Sequence, residues 1–271
     1  MSDDAALIGL DHVVIAVADL ERAAADYRAL GFTVEPGGRH PGRTSHNALV
    51  VFDDGAYFEL IAWTAPAGHE RWWQTLQRAG EGFVDHALLP RSTPAVLQAA
   101  RARGLHTLTG PVDGGRLRPD GERLQWQSAR HATPDLPFLC GDVTPRALRV
   151  PEGALRRHAN GTQGVAAVLL AVQDLAASAA RWQALLGPQA AAVAPTGDDD
   201  GLARAAFTLA GTRFELTAPG AATAPGHELS QRLATRGEGP WRVHLRGAGG
   251  TPPRRLDLAL AHGAELWLAG G

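Results

Sequence analysis

Leu10 to Leu20 reads LDHVVIAVADL, and Val165 to Leu175 reads VAAVLLAVQDL. Each is an apolar, strand-like run closed by Asp-Leu, and each leads into an Ala-rich amphipathic segment that ends in Gly, at Leu30-Gly31 and Leu186-Gly187. The likeness continues downstream. Tyr57-Phe58-Glu59-Leu60 matches Arg213-Phe214-Glu215-Leu216, Gly68-His69-Glu70 matches Gly226-His227-Glu228, and Gly80-Glu81-Gly82 matches Gly237-Glu238-Gly239. The separation stays between 155 and 158 residues at every match, which Ala and Gly richness does not produce by chance. The chain reads as a tandem duplication.

Each half divides again into a strand, a helix and several short strands. The first module is expected to hold a strand over 11–17, a helix over 19–30 and strands near 32–35, 47–53 and 57–62, with Asp53-Asp54-Gly55 as the turn between the last two. The second is expected to use Phe83 to Leu89, a helix over 93–103, then 105–108, 123–128 and 137–140, with a turn at Pro119-Asp120-Gly121. The stretch 143–163 carries Pro145, Pro151 and several arginines without periodicity, and reads as a connector. The expected organisation is therefore α+β, with four βαβββ modules in two halves: 1–142, a linker over 143–163, and 164–271. In the last module only a strand near 241–246, a helix near 252–262 and a strand at 265–268 are recognisable, so an open sheet or completion by a second subunit in a homodimer is expected.

Composition narrows the function. A chain of 271 residues with 45% apolar composition buries a sufficient core without staples, and the single cysteine, Cys140, excludes an internal disulfide and points to a reducing cytoplasm. The N-terminus lacks the basic and apolar runs of an export signal, and no stretch approaches a bilayer-spanning length. A net charge of −2 with scattered arginines argues against nucleic acid or an anionic membrane as partner, leaving a small-molecule ligand. All 26 basic side chains are arginine, so lysine Schiff-base chemistry and the P-loop lysine are excluded. Gly-x-Ser-x-Gly and Gly-x-Gly-x-x-Gly fingerprints are absent too.

Repeated βαβββ modules, Asp11-His12 opening the first strand and Tyr57-Phe58-Glu59-Leu60 closing the module resemble the vicinal oxygen chelate superfamily, which includes glyoxalases, bleomycin-resistance proteins and extradiol dioxygenases. Gly37-Gly38-Arg39-His40-Pro41-Gly42, His46-Asn47-Ala48-Leu49, Arg118-Pro119-Asp120-Gly121, Leu136-Pro137-Phe138-Leu139 and His158-Ala159-Asn160-Gly161 resemble a glyoxalase-like domain family within it. The resemblance implies a cup whose divalent metal (Fe, Mn, Ni, Co or Zn) would be held by His12, Glu59 and His86. A fourth acidic ligand is missing near Gly141. Two imidazoles and a carboxylate suit such a metal and leave positions open for a substrate with two adjacent oxygens. His40 and Asn47 are expected at the mouth of the cup as substrate contacts, and His46 as an acid/base group. The second half has Ala167 where the first has His12, so it is expected to bind no metal. Two functions stay open: a metal-dependent lyase, isomerase or dioxygenase, and a metal-free protein that encloses a small molecule. Cys140, in an apolar run, reads as a buried inert thiol.

Overall fold

In a computed structural model the described residues are 6–189, 191–193, 201–220, 223–250 and 252–270. The first module is β1 (Leu7–Ala16), α1 (Leu20–Ala29), β2 (Glu35–Arg39), β3 (Ser45–Val51) and β4 (Tyr57–Trp63). After α2 (Arg71–Ala79), the second is β5 (Gly82–Pro90), α3 (Thr93–Ala102), β6 (Leu108–Leu117), β7 (Arg123–His131) and β8 (Phe138–Asp142). The eight strands close into a barrel in the order β1-β4-β3-β2-β6-β7-β8-β5. The stretch 143–163 is not bare chain: it contains α4 (Arg146–Arg149) and a 3₁₀ turn at Gly153–Arg156.

The second half builds β9 (Thr162–Ala171), α5 (Leu175–Leu186), β10 (Ala191–Val193), β11 (Leu202–Leu209), β12 (Thr212–Pro219), α6 (Ala224–Arg236), β13 (Gly239–Gly247), β14 (Arg254–Arg255) and β15 (Glu265–Gly270). These strands form an open sheet in the order β10-β11-β12-β9-β13-β15-β14. The helix expected over 252–262 is absent. Pro252 and Pro253 lead instead into β14, which pairs with β15, and 258–263 form a turn ended by positive φ at His262 and Gly263. His262 is buried there, with Nδ1 2.9 Å from the Glu81 carboxylate and Nε2 3.1 Å from that of Asp26, tying this turn to the first half.

The repeated motifs have local causes. Asp19 and Asp174 are N-caps: their carboxylates accept hydrogen bonds from the backbone N–H groups that open α1 and α5. Glu81 and Glu238, each flanked by glycines, accept from the backbone N–H of Ala18 and Gln173, fixing the chain as it leaves β1 and β9. On β1 the alternation of a strand sends Val13, Ile15 and Val17 outward and His12, Val14 and Ala16 toward the lumen. The outward set joins Phe58 and Leu60 in one core with Val168, Leu170, Trp182 and Phe214 of the second half. At roughly 25 cal/mol per Å² of apolar surface, this shared core is the main term binding the halves together.

Barrel closure depends on two glycines. A Cβ at Gly38 would lie 1.9 Å from the Leu117 carbonyl oxygen, and one at Gly37 would lie 2.1 Å from Asn47 Oδ1 and 2.3 Å from an Arg116 guanidinium nitrogen. Only glycine lets β2 approach β6, where Arg39 pairs with Leu117. Gly38 also has a φ of 139°, which L side chains rarely adopt. Gly38→Ala is therefore expected to cost at least about 2 kcal/mol and to lower Tm by roughly 4 to 8 °C in a thermal melt. An unchanged Tm would mean that the barrel is not closed here in solution.

Candidate functional site

The barrel encloses a cavity of about 540 Å³, within the range of small-molecule sites. At its base β1 carries a bulge between Leu10 and His12, which breaks the strict alternation of faces and brings the adjacent Asp11 and His12 together. His12 Nδ1 lies 2.6 Å from Asp11 Oδ2, and His12 Nε2 lies 3.4 Å from Glu59 Oε2. Asn47 donates to Glu59 Oε1 at 2.6 Å, Arg116 donates to Asn47 Oδ1 at 3.1 Å, and His40 Nε2 stands 3.7 Å from Glu59 Oε1. Tyr57 stacks on the His12 ring at 4.7 Å and Phe138 meets it edge-on at 5.3 Å.

Beneath this chain lies a buried ion cluster supplied by α4. Arg149, 3% exposed, donates to both Asp11 oxygens at 2.8 and 3.0 Å, to Asp142 and to the Tyr57 hydroxyl, while Arg146 donates to Asp11 at 2.6 Å and Asp142 at 3.1 Å. Burial alone would raise the Asp11 pKa, but Arg149 and the hydrogen bond from His12 hold it well below the usual carboxylate range. Burial would likewise raise Glu59, yet His12 and Asn47 hold it at about 2. For His12, burial is outweighed by the hydrogen bonds to Asp11 and Glu59, and its pKa is raised. Cys140 lines the cavity, and its burial pushes the thiol far above its ordinary value, as an inert cysteine requires.

Not every predicted residue arrives here. His12, Glu59, His40 and Asn47 meet in the lumen. His46 follows the alternation to the outer face of β3 and lines a separate hollow with Leu20, Arg39 and Leu117, so it has no access to the His12–Glu59 pair. His86 also stands apart. It is fully buried in the core between the halves, stacked on Trp182 at 5.9 Å, and neither ring nitrogen has a hydrogen-bond partner among the described residues.

The strand register gives the reason. His12 pairs with Ala87, Val13 with His86 and Val14 with Asp85, with bulges on both strands. Paired residues share a face, so His86 points outward with Val13, and the residue of β5 that stands as His12 stands on β1 is Asp85. By the same symmetry Glu59, beside Val14, corresponds to Phe138, beside Ala87. Gly141 faces α3: a Cβ there would meet Thr93 Oγ1 at 2.5 Å, so an acid at that position would not reach the lumen. The four inward positions are therefore His12, Glu59, Asp85 and Phe138. Asp85 is already engaged by Arg71, by Trp72 Nε1 at 2.9 Å and by Arg130 at 3.3 Å, and the Arg130 guanidinium lies 4.1 Å from the Phe138 ring centre. Among the described residues no group of three or more His, Cys, Asp or Glu side chains is arranged to hold a metal ion. The donor set does not fit the expected divalent metal.

The sequence profile of the glyoxalase-like domain matches residues 10–186. The chain belongs to that family. A hypothetical protein from Staphylococcus aureus superposes with a TM-score of 0.71 at 14% identity, over 97% of this chain and 99% of that one. A triple mutant of 4-hydroxymandelate synthase from Streptomyces coelicolor gives 0.64 at 12%, over 93% and 78%, and a xylose isomerase-like TIM barrel/4-hydroxyphenylpyruvate dioxygenase fusion protein gives 0.57 at 17%, over 94% and 40%. A search of curated proteins gave no match. These likenesses establish the vicinal oxygen chelate fold with its tandem modules. No helix among the described residues is long and apolar enough to cross a membrane.

The reading of His86 as core has a measurable consequence. Burial lowers its pKa to about 4, so the folded protein keeps it neutral while the unfolded chain takes up a proton as pH falls below about 6.5. Its titration therefore destabilises the fold progressively as pH falls from about 6.5 to 4. His86→Leu removes both unpartnered nitrogens and is expected to raise Tm at pH 7, with the advantage over wild type widening at pH 5. A variant less stable at both pH values would contradict this assignment.

Proposed function

We propose that this protein is a metal-independent small-molecule-binding member of the vicinal oxygen chelate superfamily, with the barrel lumen as its ligand site. One observation carries the reading: of the four inward positions where this fold would gather ligands, one is Phe138 and another is Asp85, already neutralised by Arg71 and Arg130. That leaves His12 and Glu59 as the donors at those four positions, with His40 on the neighbouring loop, and no group of three such side chains among the described residues is arranged around one point. Aromatic walls and a few fixed polar groups suit an enclosed organic ligand. The reading keeps a reducing cytoplasm, since the sole cysteine is a buried free thiol, and a homodimer, since β14 pairs with only Trp267 and Leu268 of the six residues of β15 and leaves the rest of that edge without a strand partner among the described residues.

Metal content tests this directly. Protein incubated with Fe(II), Mn, Ni, Co or Zn, desalted and measured by plasma mass spectrometry is expected to retain well under one metal per chain, with His12→Ala indistinguishable from wild type. Retention near one per chain, abolished by His12→Ala in a variant that remains folded, would overturn the proposal in favour of a metal-dependent enzyme.

A further inference from the structure

Resting on the lumen as the ligand site, we infer that its ligand is a planar aromatic anion, the anionic group held by Arg116 and the ring lying along Trp126. Arg116 is 3% exposed and lines the cavity, yet its hydrogen bonds go to an amide oxygen, that of Asn47, and to a backbone carbonyl, that of Arg149. No ion pair to a carboxylate is formed by it among the described residues. The contrast with its neighbour is direct, because Arg149 is equally buried and faces two carboxylates, Asp11 and Asp142. A guanidinium has five N–H donors, and burying its charge without a counter-ion is costly. Burial lowers the Arg116 pKa, offset only in part by Tyr57 and by the Glu59 carboxylate, which reaches it through the Asn47 amide. Gly37 keeps this arrangement open, since any side chain there would collide with Arg116 and Asn47. An anion entering the cavity would supply the missing partner, with geometry suited to carboxylate or phosphate oxygens. Arg123, also lining the cavity and without an ion pair among the described residues, adds to the positive field at the entrance.

The remainder of the cavity specifies what the anion is attached to. Trp126 lies against Gly114, where a Cβ would come 2.4 Å from the indole nitrogen, and meets His40 at right angles with 6.2 Å between ring centres. Trp72 and Phe138 line the same space with the Arg130 guanidinium over both rings, at 4.7 and 4.1 Å, so the ring face offered to a ligand is that of Trp126. Flat aromatic faces near a cation favour a flat, conjugated ligand over a flexible aliphatic one.

Metal-stripped protein titrated by tryptophan fluorescence and by calorimetry with 1-naphthoate, 1-naphthyl phosphate, neutral 1-naphthamide, cationic 1-naphthylmethylamine and inorganic phosphate tests the inference. One or both aryl anions are expected to bind at least tenfold tighter than the amide, and the tighter of the two identifies carboxylate or phosphate as the preferred group. Inorganic phosphate is expected to bind weakly. Arg116→Gln should abolish the anion preference, and Arg116→Lys should restore most of it, which a merely structural role would not do. Amide binding equal to the anions, preference for the cation, or a preference surviving in a folded Arg116→Gln variant would overturn this inference while leaving the lumen as a ligand site. Failure of all five probes to bind would overturn both.

Discussion

The antiparallel pairing of β1 with β5, offset by two bulges on β1 and one on β5, decides which side chains reach the lumen, and the site follows from it. Because a one-residue slip sends a whole strand's side chains to the opposite face, the bulges determine that His12 looks inward while His86 looks into the core. The same register makes Asp85 and Phe138 the counterparts of His12 and Glu59. What would be a ring of four donors becomes two donors, a neutralised carboxylate and a phenyl ring.

Around that pairing buried charge fixes the geometry of the lumen. Asp11 is surrounded by Arg146, Arg149 and the His12 ring, so its hydrogen bonds go to holding the imidazole and α4 in place. The helix that supplies those arginines closes the base of the barrel, and the outer face of the barrel shares its core with the second sheet. The described strands of the second half form an open sheet rather than a barrel. Its contribution is the apolar face, with Trp182 and Phe214, that buries His86.

Much of the fold was legible in the sequence, because duplication prints periodic signals: the N-cap aspartates, the Gly-Glu-Gly corners and the apolar runs all recur. The β1–α1 and β5–α3 units fall where periodicity places them. The helix expected over 252–262 failed because two prolines and a strand pairing outweigh its apolar spacing. Of the residues lining the lumen, His12, Glu59, His40 and Asn47 were recognisable. His86 was misleading because Asp85-His86 repeats the letters of Asp11-His12 while the structural equivalence runs one residue out of step with them, and a bulge leaves no mark in a sequence. Arg116 and Arg149 were hidden for a different reason. One lies in a strand without apolar alternation and the other in a segment resembling a connector, and their partners are distant in the chain; Gly37, which admits Arg116, was the available hint.

The central claim is that His12 and His86 never share a ligand. Histidine-selective ¹⁵N labelling, with ring nitrogens followed by NMR during a zinc titration, tests it most directly. The account predicts that His86 keeps the shifts of a neutral, buried imidazole at every zinc concentration and moves independently of His12. Simultaneous, stoichiometric shifts of both rings to metal-bound values would contradict it.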